Sequence, residues 1–333
     1  MSRKTVQQLA DGESIDEIYL VTDKQLRANR QGNLFLQVDL RDRTGLINAR
    51  LWNASEQQFR SFEEGDFLRV KGKVQLFQGS LQVIFNAFER VDPARVPLGD
   101  FLPRTEHDIN KLLERLKTTL LRVDNPHLRG LVECFLMDEQ FLDAFSKAPA
   151  GIRNHHAYIG GLLEHVVTLL EGADRLAPLY PELNRDLLLM GVFLHDIGKV
   201  RELSFERVFG YSDEGQLIGH IAIGLEMLNE KAAKVPDLTG EPFPLETLLR
   251  LKHLILSHHG SYEFGSPRLP MTPEAVALTQ LDNFDAKVHS CLRDIREDQG
   301  TSAWTPYSHN TQRRLFKGLK EGSGPVLDGE PAG

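Results

Sequence analysis

The sequence predicts a multidomain α+β protein, a small five-stranded β-barrel followed by an all-helical domain. Three observations carry that reading. Residues 15–90 alternate apolar and polar side chains with a period of two, in short runs broken by turn residues. Beyond Pro103 the apolar residues recur every three or four positions. Within that second part, histidines and aspartates stand at wide intervals around the run Phe193-Leu194-His195-Asp196-Ile197-Gly198-Lys199.

The barrel is read in order. A first strand covers residues 18–27. Leu34, Leu36, Val38 and Leu40 alternate with Phe35, Gln37 and Asp39 in the second, and Asp42-Arg43-Thr44-Gly45 is a turn. In the third, Ile47, Ala49 and Leu51 share one face, with Asn48, Arg50 and Trp52 on the other. A short helical piece at 55–62 precedes a fourth strand at 67–74, which sets Arg69, Lys71 and Lys73 on one face, and 81–88 closes the set. About five strands in ~75 residues is the size of an OB-type barrel. Its outward Phe35, Arg50 and Trp52, with Lys71 and Lys73, put rings beside cations. That pattern suits stacking of single-stranded bases and contact with phosphates. The same residue types also fill space in small barrels, so a solvated face with packed rings is the competing reading.

Asp92 to Asp100 carries two prolines and a glycine and reads as a linker. Ile109, Leu112, Leu113, Leu116, Leu120 and Leu121 then mark a helix, with further helices at 128–136 and 139–145. Pro149-Ala150-Gly151 interrupts the pattern, making residues 93–150 a linker with a helical bridge or outer layer. Long helical blocks follow at about 158–177, 186–197, 216–234, 245–259 and 273–296. The expected division is 1–92, 93–150, 151–310 and a C-terminal tail, 311–333, that is partly disordered. There is no internal repeat.

Composition narrows the function classes. The 333 residues are 41% hydrophobic and 26% charged, as in soluble globular proteins. No run of ~20 apolar residues exists, and the N-terminus lacks the apolar core of a signal peptide. Cys134 and Cys291 are the only cysteines, and both fit reduced core thiols of a cytoplasmic protein. Any metal site must therefore use imidazoles and carboxylates. Residues 1–100 hold 14 basic and 14 acidic residues, and the remainder holds 25 and 33. The acidic second part does not bind nucleic acid by charge alone.

His195 and Asp196 close an apolar helix, and such groups are costly to bury without partners. A divalent cation suits both. His165 lies on an apolar helix upstream, and Asp282 lies in a helix whose other face is apolar. Each alone is weak, since a lone apolar-face histidine is more often a satisfied core residue. The set is stronger.

The order His165, His195-Asp196, Asp282 resembles the HD-domain metal-dependent phosphohydrolases, an all-helical superfamily. The resemblance implies those four as metal ligands, with His220, His258 and His259 serving a second ion and Asp196 bridging. His253 falls on another face and reads as structural. Arg153-Asn154-His155-His156, Gly160-Gly161-Leu162-Leu163-Glu164-His165, Gly219-His220-Ile221, Ser257-His258-His259-Gly260, Gly265-Ser266-Pro267 and Asp282-Asn283-Phe284-Asp285 extend the match. Together with the front barrel, they make the chain resemble the YhaM family up to about residue 310. That family joins an OB fold to an HD domain and consists of 3′–5′ exoribonucleases preferring Mn²⁺. The resemblance implies one or two divalent ions, with Mn²⁺ favoured and Fe, Co, Ni or Mg open. It implies single-stranded RNA as substrate, with single-stranded DNA and a homo-oligomer open. Asp196 and Lys199 are the expected catalytic pair. Lys199 stands near the substrate phosphate in resembling subfamilies, although a helix C-terminal lysine favoured by the dipole reads the same way. His155 and His156 either meet the 3′-terminal nucleotide or cap the following helix, and Asp285 joins the substrate-facing set.

Two other readings compete. His258-His259 and His195-Asp196-Ile197-Gly198-Lys199 also resemble the HD-GYP nucleotide or cyclic-dinucleotide phosphodiesterases, but Gly265-Ser266-Pro267 stands where their Gly-Tyr-Pro would be. A non-catalytic single-strand-binding protein is the third reading. The complete ligand set argues against it.

Overall fold

The computed structural model describes residues 3–318 apart from 78, 153–155, 206–208, 299, 301, 309 and 310, and apart from the side chain of residue 98. The strand periodicity is realised as a closed barrel. Its strands are β1 (Ser14–Ala28), β2 (Leu34–Asp42), β3 (Gly45–Trp52), β4 (Phe67–Phe77) and β5 (Ser80–Val91), in the order β1-β2-β3-β5-β4. Closure requires one parallel pairing, β3 with β5, among otherwise antiparallel neighbours. This is the strand order of an OB fold. A single-turn helix, α1 (Glu56–Phe59), spans β3 and β4, capped by Ser55 and Gln58 in a reciprocal box. Alternation puts Leu36, Val38, Leu40, Ile47, Ala49 and Leu51 into the barrel core, whereas Leu34 at the open end of β2 is exposed.

The helical domain runs α2 (Ile109–Leu120), α3 (Pro126–Leu136), α4 (Glu139–Lys147), α5 (Gly161–Leu176), α6 (Arg185–Leu194) and α7 (Lys199–Glu202). It continues with α8 (Asp213–Ala232), α9 (Val235–Thr239), α10 (Leu245–Ser257) and α11 (Pro273–Glu297). Helices α2 to α4 contribute Leu112, Leu116, Leu131 and Phe145 to the core that holds Leu163, Phe193 and Leu254. They are an outer layer of one packed unit. Two features depart from the sequence reading. A two-residue hairpin, β6 (Leu203–Ser204) with β7 (Gly210–Tyr211), interrupts the helices. Val235–Thr239, which falls between the predicted helical blocks, forms α9, because a proline in the first turn costs a helix no hydrogen bond.

A third cluster joins the two parts. Leu20 and Phe67 of the barrel pack on Val96, Phe101 and Leu102 of the connecting segment and on Phe209 beside β7. No helix among the described residues is long and apolar enough to cross a membrane.

Candidate metal centre

Helix α6 is apolar on every side and all eight residues from Leu187 to Leu194 are buried, so its C-terminal end lies at the centre of the domain. His195 and Asp196 follow and are carried inside with it. Helices α5, α10 and α11 pack around α6 and bring His165, His258 and Asp282 to the same point. His220 arrives from α8, directly after Gly219, whose positive φ of 77° kinks the helix. Gly198 permits this approach, since a Cβ there would lie 2.0 Å from the carbonyl oxygen of His220.

Asp196 divides the centre. Its Oδ2 lies 3.3 Å from His195 Nε2, 4.0 Å from His165 Nε2 and 2.6 Å from Lys199 Nζ. Its Oδ1 lies 3.5 Å from His220 Nε2 and 3.6 Å from His258 Nε2. On the Oδ2 side, His165, His195 and Asp282 bring three donor atoms within 4.8 Å of one another, with His165 Nε2 at 3.3 Å from Asp282 Oδ1. On the Oδ1 side, His220, His258 and His259 do the same. Among the described residues, Asp196 Oδ1, His220 Nε2, His258 Nε2 and His259 Nδ1 are buried without a hydrogen-bond partner. Leaving such atoms unpaired costs about 1–3 kcal/mol each, and a divalent cation is one partner suited to imidazole and carboxylate together. The donor set therefore fits a cation on each side.

The imidazole tautomers are set from behind. His195 Nδ1 donates to Val192 O at 2.8 Å, and His258 Nδ1 donates to Ile255 O at 2.7 Å. A carbonyl only accepts, so Nδ1 of each ring carries its hydrogen and Nε2 is the atom turned to the centre. Burial, reinforced by the field of His195, holds the His258 ring well below the ordinary imidazole range, keeping it neutral. Burial opposes ionisation of Asp196, yet the Lys199 ammonium and the His195 imidazole hold its carboxyl well below the usual carboxylate range. Asp282 and Asp285 are likewise depressed against their burial, by His165 and, for Asp285, by His156 as well. Burial lowers His165, but the two aspartates win and its pKa is raised to about 9.

The remaining predicted residues fall as follows. Asp285 Oδ2 accepts from His165 Nδ1 at 2.8 Å and from His156 Nε2 at 2.9 Å, and so holds two imidazoles from behind the centre. His156 is buried with φ at 50°, its Nδ1 2.8 Å from the Tyr158 hydroxyl. His155 lies outside the described residues. His253 Nε2 accepts from Met271 N, away from the cluster. On the barrel, Phe35 and Trp52 pair across β2 and β3 with centroids 5.1 Å apart, and Trp52 is 44% exposed. Arg50 extends over the exposed Phe77 ring at 5.7 Å, and Lys73 is exposed. Lys71 and Arg69 are instead tied to Asp16 at 3.3 and 2.7 Å, so the basic row of β4 is partly neutralised.

Sequence reasoning missed Phe77, Glu202 and His289. His289 stacks on His156 at 4.0 Å. It stands seven residues after Asp282 and four after Asp285, so helical spacing would have found it. Glu202 Oε1 accepts from both the main-chain N and Nδ1 of His220 at 2.9 Å. No local spacing marks it, because its partner lies on another element.

Residues 162–287 match the HD domain model and residues 20–91 match the OB-fold nucleic acid binding domain model. A relative named 3′-5′ exoribonuclease YhaM from Shouchella clausii (strain KSM-K16) is 37% identical over 293 residues, covering 86% of this chain and 88% of the relative. One of the same name from Bacillus subtilis (strain 168) is 35% identical over 285 residues, covering 85% and 88%.

Proposed function

Since the chain belongs to the YhaM family of 3′-5′ exoribonucleases, we propose that it hydrolyses single-stranded RNA from the 3′ end at the centre built around Asp196. The observation that carries this reading is the division of Asp196, whose two oxygens face two separate sets of histidines. His165, His195, Asp196 and Asp282 would hold one divalent cation, and Asp196, His220, His258 and His259 a second. Bound there, such ions supply Lewis acidity toward a phosphate and a water, in a domain whose own charge is acidic. Mn²⁺ is the favoured ion.

The chain's own groups do the rest. Asp196 stays ionised in a buried place because Lys199 and the imidazoles compensate it. Lys199 keeps its ammonium charge in spite of burial, since Asp196 raises its pKa, and that charge offsets negative charge gathering on a phosphate. Val192 O and Ile255 O hold two rings so that Nε2 faces inward. The Phe35–Trp52 pair, together with Arg50 and Lys73 of the barrel, would hold the strand by stacking and phosphate contact. Stacking and phosphate contact do not read a 2′-hydroxyl, so single-stranded DNA is a second candidate substrate.

The test supplies purified protein and Mn²⁺ with 5′-labelled single-stranded RNA, and with cyclic dinucleotide in parallel. A ladder shortening from the 3′ end supports the proposal. Cleavage of the cyclic substrate alone, or binding without product, overturns it.

A further inference from the structure

Four imidazoles face Asp196, and each is gripped at Nδ1. The four grips are not alike. His195 and His258 lean on main-chain carbonyls three residues back, Val192 O and Ile255 O. His165 leans on the Asp285 carboxylate at 2.8 Å, and His220 on the Glu202 carboxylate at 2.9 Å. The sorting is even. The Oδ2 side of Asp196 has one carbonyl-backed ring, His195, and one carboxylate-backed ring, His165. The Oδ1 side has His258 and His220 in the same two roles.

A carbonyl fixes ring orientation. A carboxylate does that and adds a full negative charge, which raises the basicity of the opposite nitrogen. The side-chain hydrogen bonds of Asp285 and Glu202 share no partner. Asp285 is bonded to His165 and His156, and Glu202 to the ring and main chain of His220. Perturbing one should therefore leave the other side unmoved.

We propose that Asp285 and Glu202 are positioning residues that set cation affinity on the two sides of Asp196 separately, Asp285 through His165 and Glu202 through His220. This rests on the two-cation reading above. The test strips the full-length protein with a chelator and titrates it with Mn²⁺ by calorimetry. Glu202→Gln keeps an acceptor for His220 and removes the charge. It should weaken one of two binding steps about 10-fold or more and leave the other unchanged. Asp285→Asn should weaken the other step, and the double variant both. Circular dichroism of the stripped proteins separates loss of fold from loss of ion. If Glu202→Gln does not fold, Asp285→Asn carries the test alone, by weakening one step only. Unchanged affinities, or one step weakened by both variants, would overturn the assignment. A wild-type protein that takes up a single ion would instead sink the two-cation reading beneath it.

Discussion

Replacing Gly198 with alanine tests whether the close approach of α8 is what builds the Oδ1 side. The φ of Gly198 is −62°, which alanine adopts freely, so any effect is steric. The added Cβ would lie 2.0 Å from His220 O and 2.8 Å from Gly224 N, both main-chain atoms. Carbon–oxygen contacts settle near 3.3 Å, so the α8 backbone at His220 must withdraw by about 1 Å. That withdrawal carries the His220 ring off Glu202, 2.9 Å away, and away from Asp196 Oδ1 at 3.5 Å. Overpacking of this kind costs about 1–3 kcal/mol, and at roughly 2–4 °C per kcal/mol the melting temperature should fall by about 2–12 °C. A misplacement of about 1 Å beside a reacting phosphate costs on the order of 100-fold in rate. The assay combines turnover of 5′-labelled RNA, thermal melting and RNA affinity, the last of which should hold because the barrel is untouched. Wild-type rate and melting temperature in Gly198→Ala would refute the reasoning. His220 would then not need the approach.

Stripping divalent ions with a chelator should lower the melting temperature by about 5–10 °C, because an ion present at 100 times its Kd stabilises by about 2.7 kcal/mol. Re-addition of Mn²⁺ should restore it, and an unchanged melting curve would count against the site. Asp196→Ala should abolish turnover while single-strand binding persists, and retained turnover would remove the ligand assignment. Trp52→Ala should weaken single-strand binding by about 1–3 kcal/mol, read by fluorescence anisotropy, without lowering hydrolysis of a dinucleotide. Asp138 is held below the ordinary carboxylate value of 3.8, chiefly by its bond to buried Lys231. Its contribution is therefore present above that value and lost as pH falls through the lower folded-state value. Asp138→Asn should cost about 1 kcal/mol at pH 7 after allowance for solvent screening, and the gap from wild type in urea should narrow in acid. A gap independent of pH would show that the ion pair is not its source.

Much of the architecture was legible because local pattern and tertiary demand agree. The alternation in β2 and β3 sorts Val38 and Ala49 inward and Phe35 and Trp52 outward, and the unbroken apolar run of α6 left burial as its only outcome. His165, His195, Asp196 and Asp282 could be gathered because each sits at an apolar helix end or face, where burial demands a partner, and the family resemblance added His220, His258 and His259. What escaped the reading depends on contacts between distant elements. Nothing near Glu202 announces that its carboxylate meets His220, and Phe77 reaches Arg50 only because β5 inserts between β3 and β4. Lys71 looked like a phosphate contact from its place in an alternating basic row, but Asp16 on the neighbouring β1 takes it up. The one-turn α7 and the hairpin after it are too short for periodicity to register.

Crystals grown with Mn²⁺ and measured at the manganese absorption edge give the most direct test of a cation centre built on Asp196. The account predicts anomalous density on both sides of that carboxylate, one peak among His165, His195 and Asp282 and another facing His220 and His258. An enzyme active in the same solution, with its manganese bound elsewhere or with no anomalous density among these side chains, would contradict it.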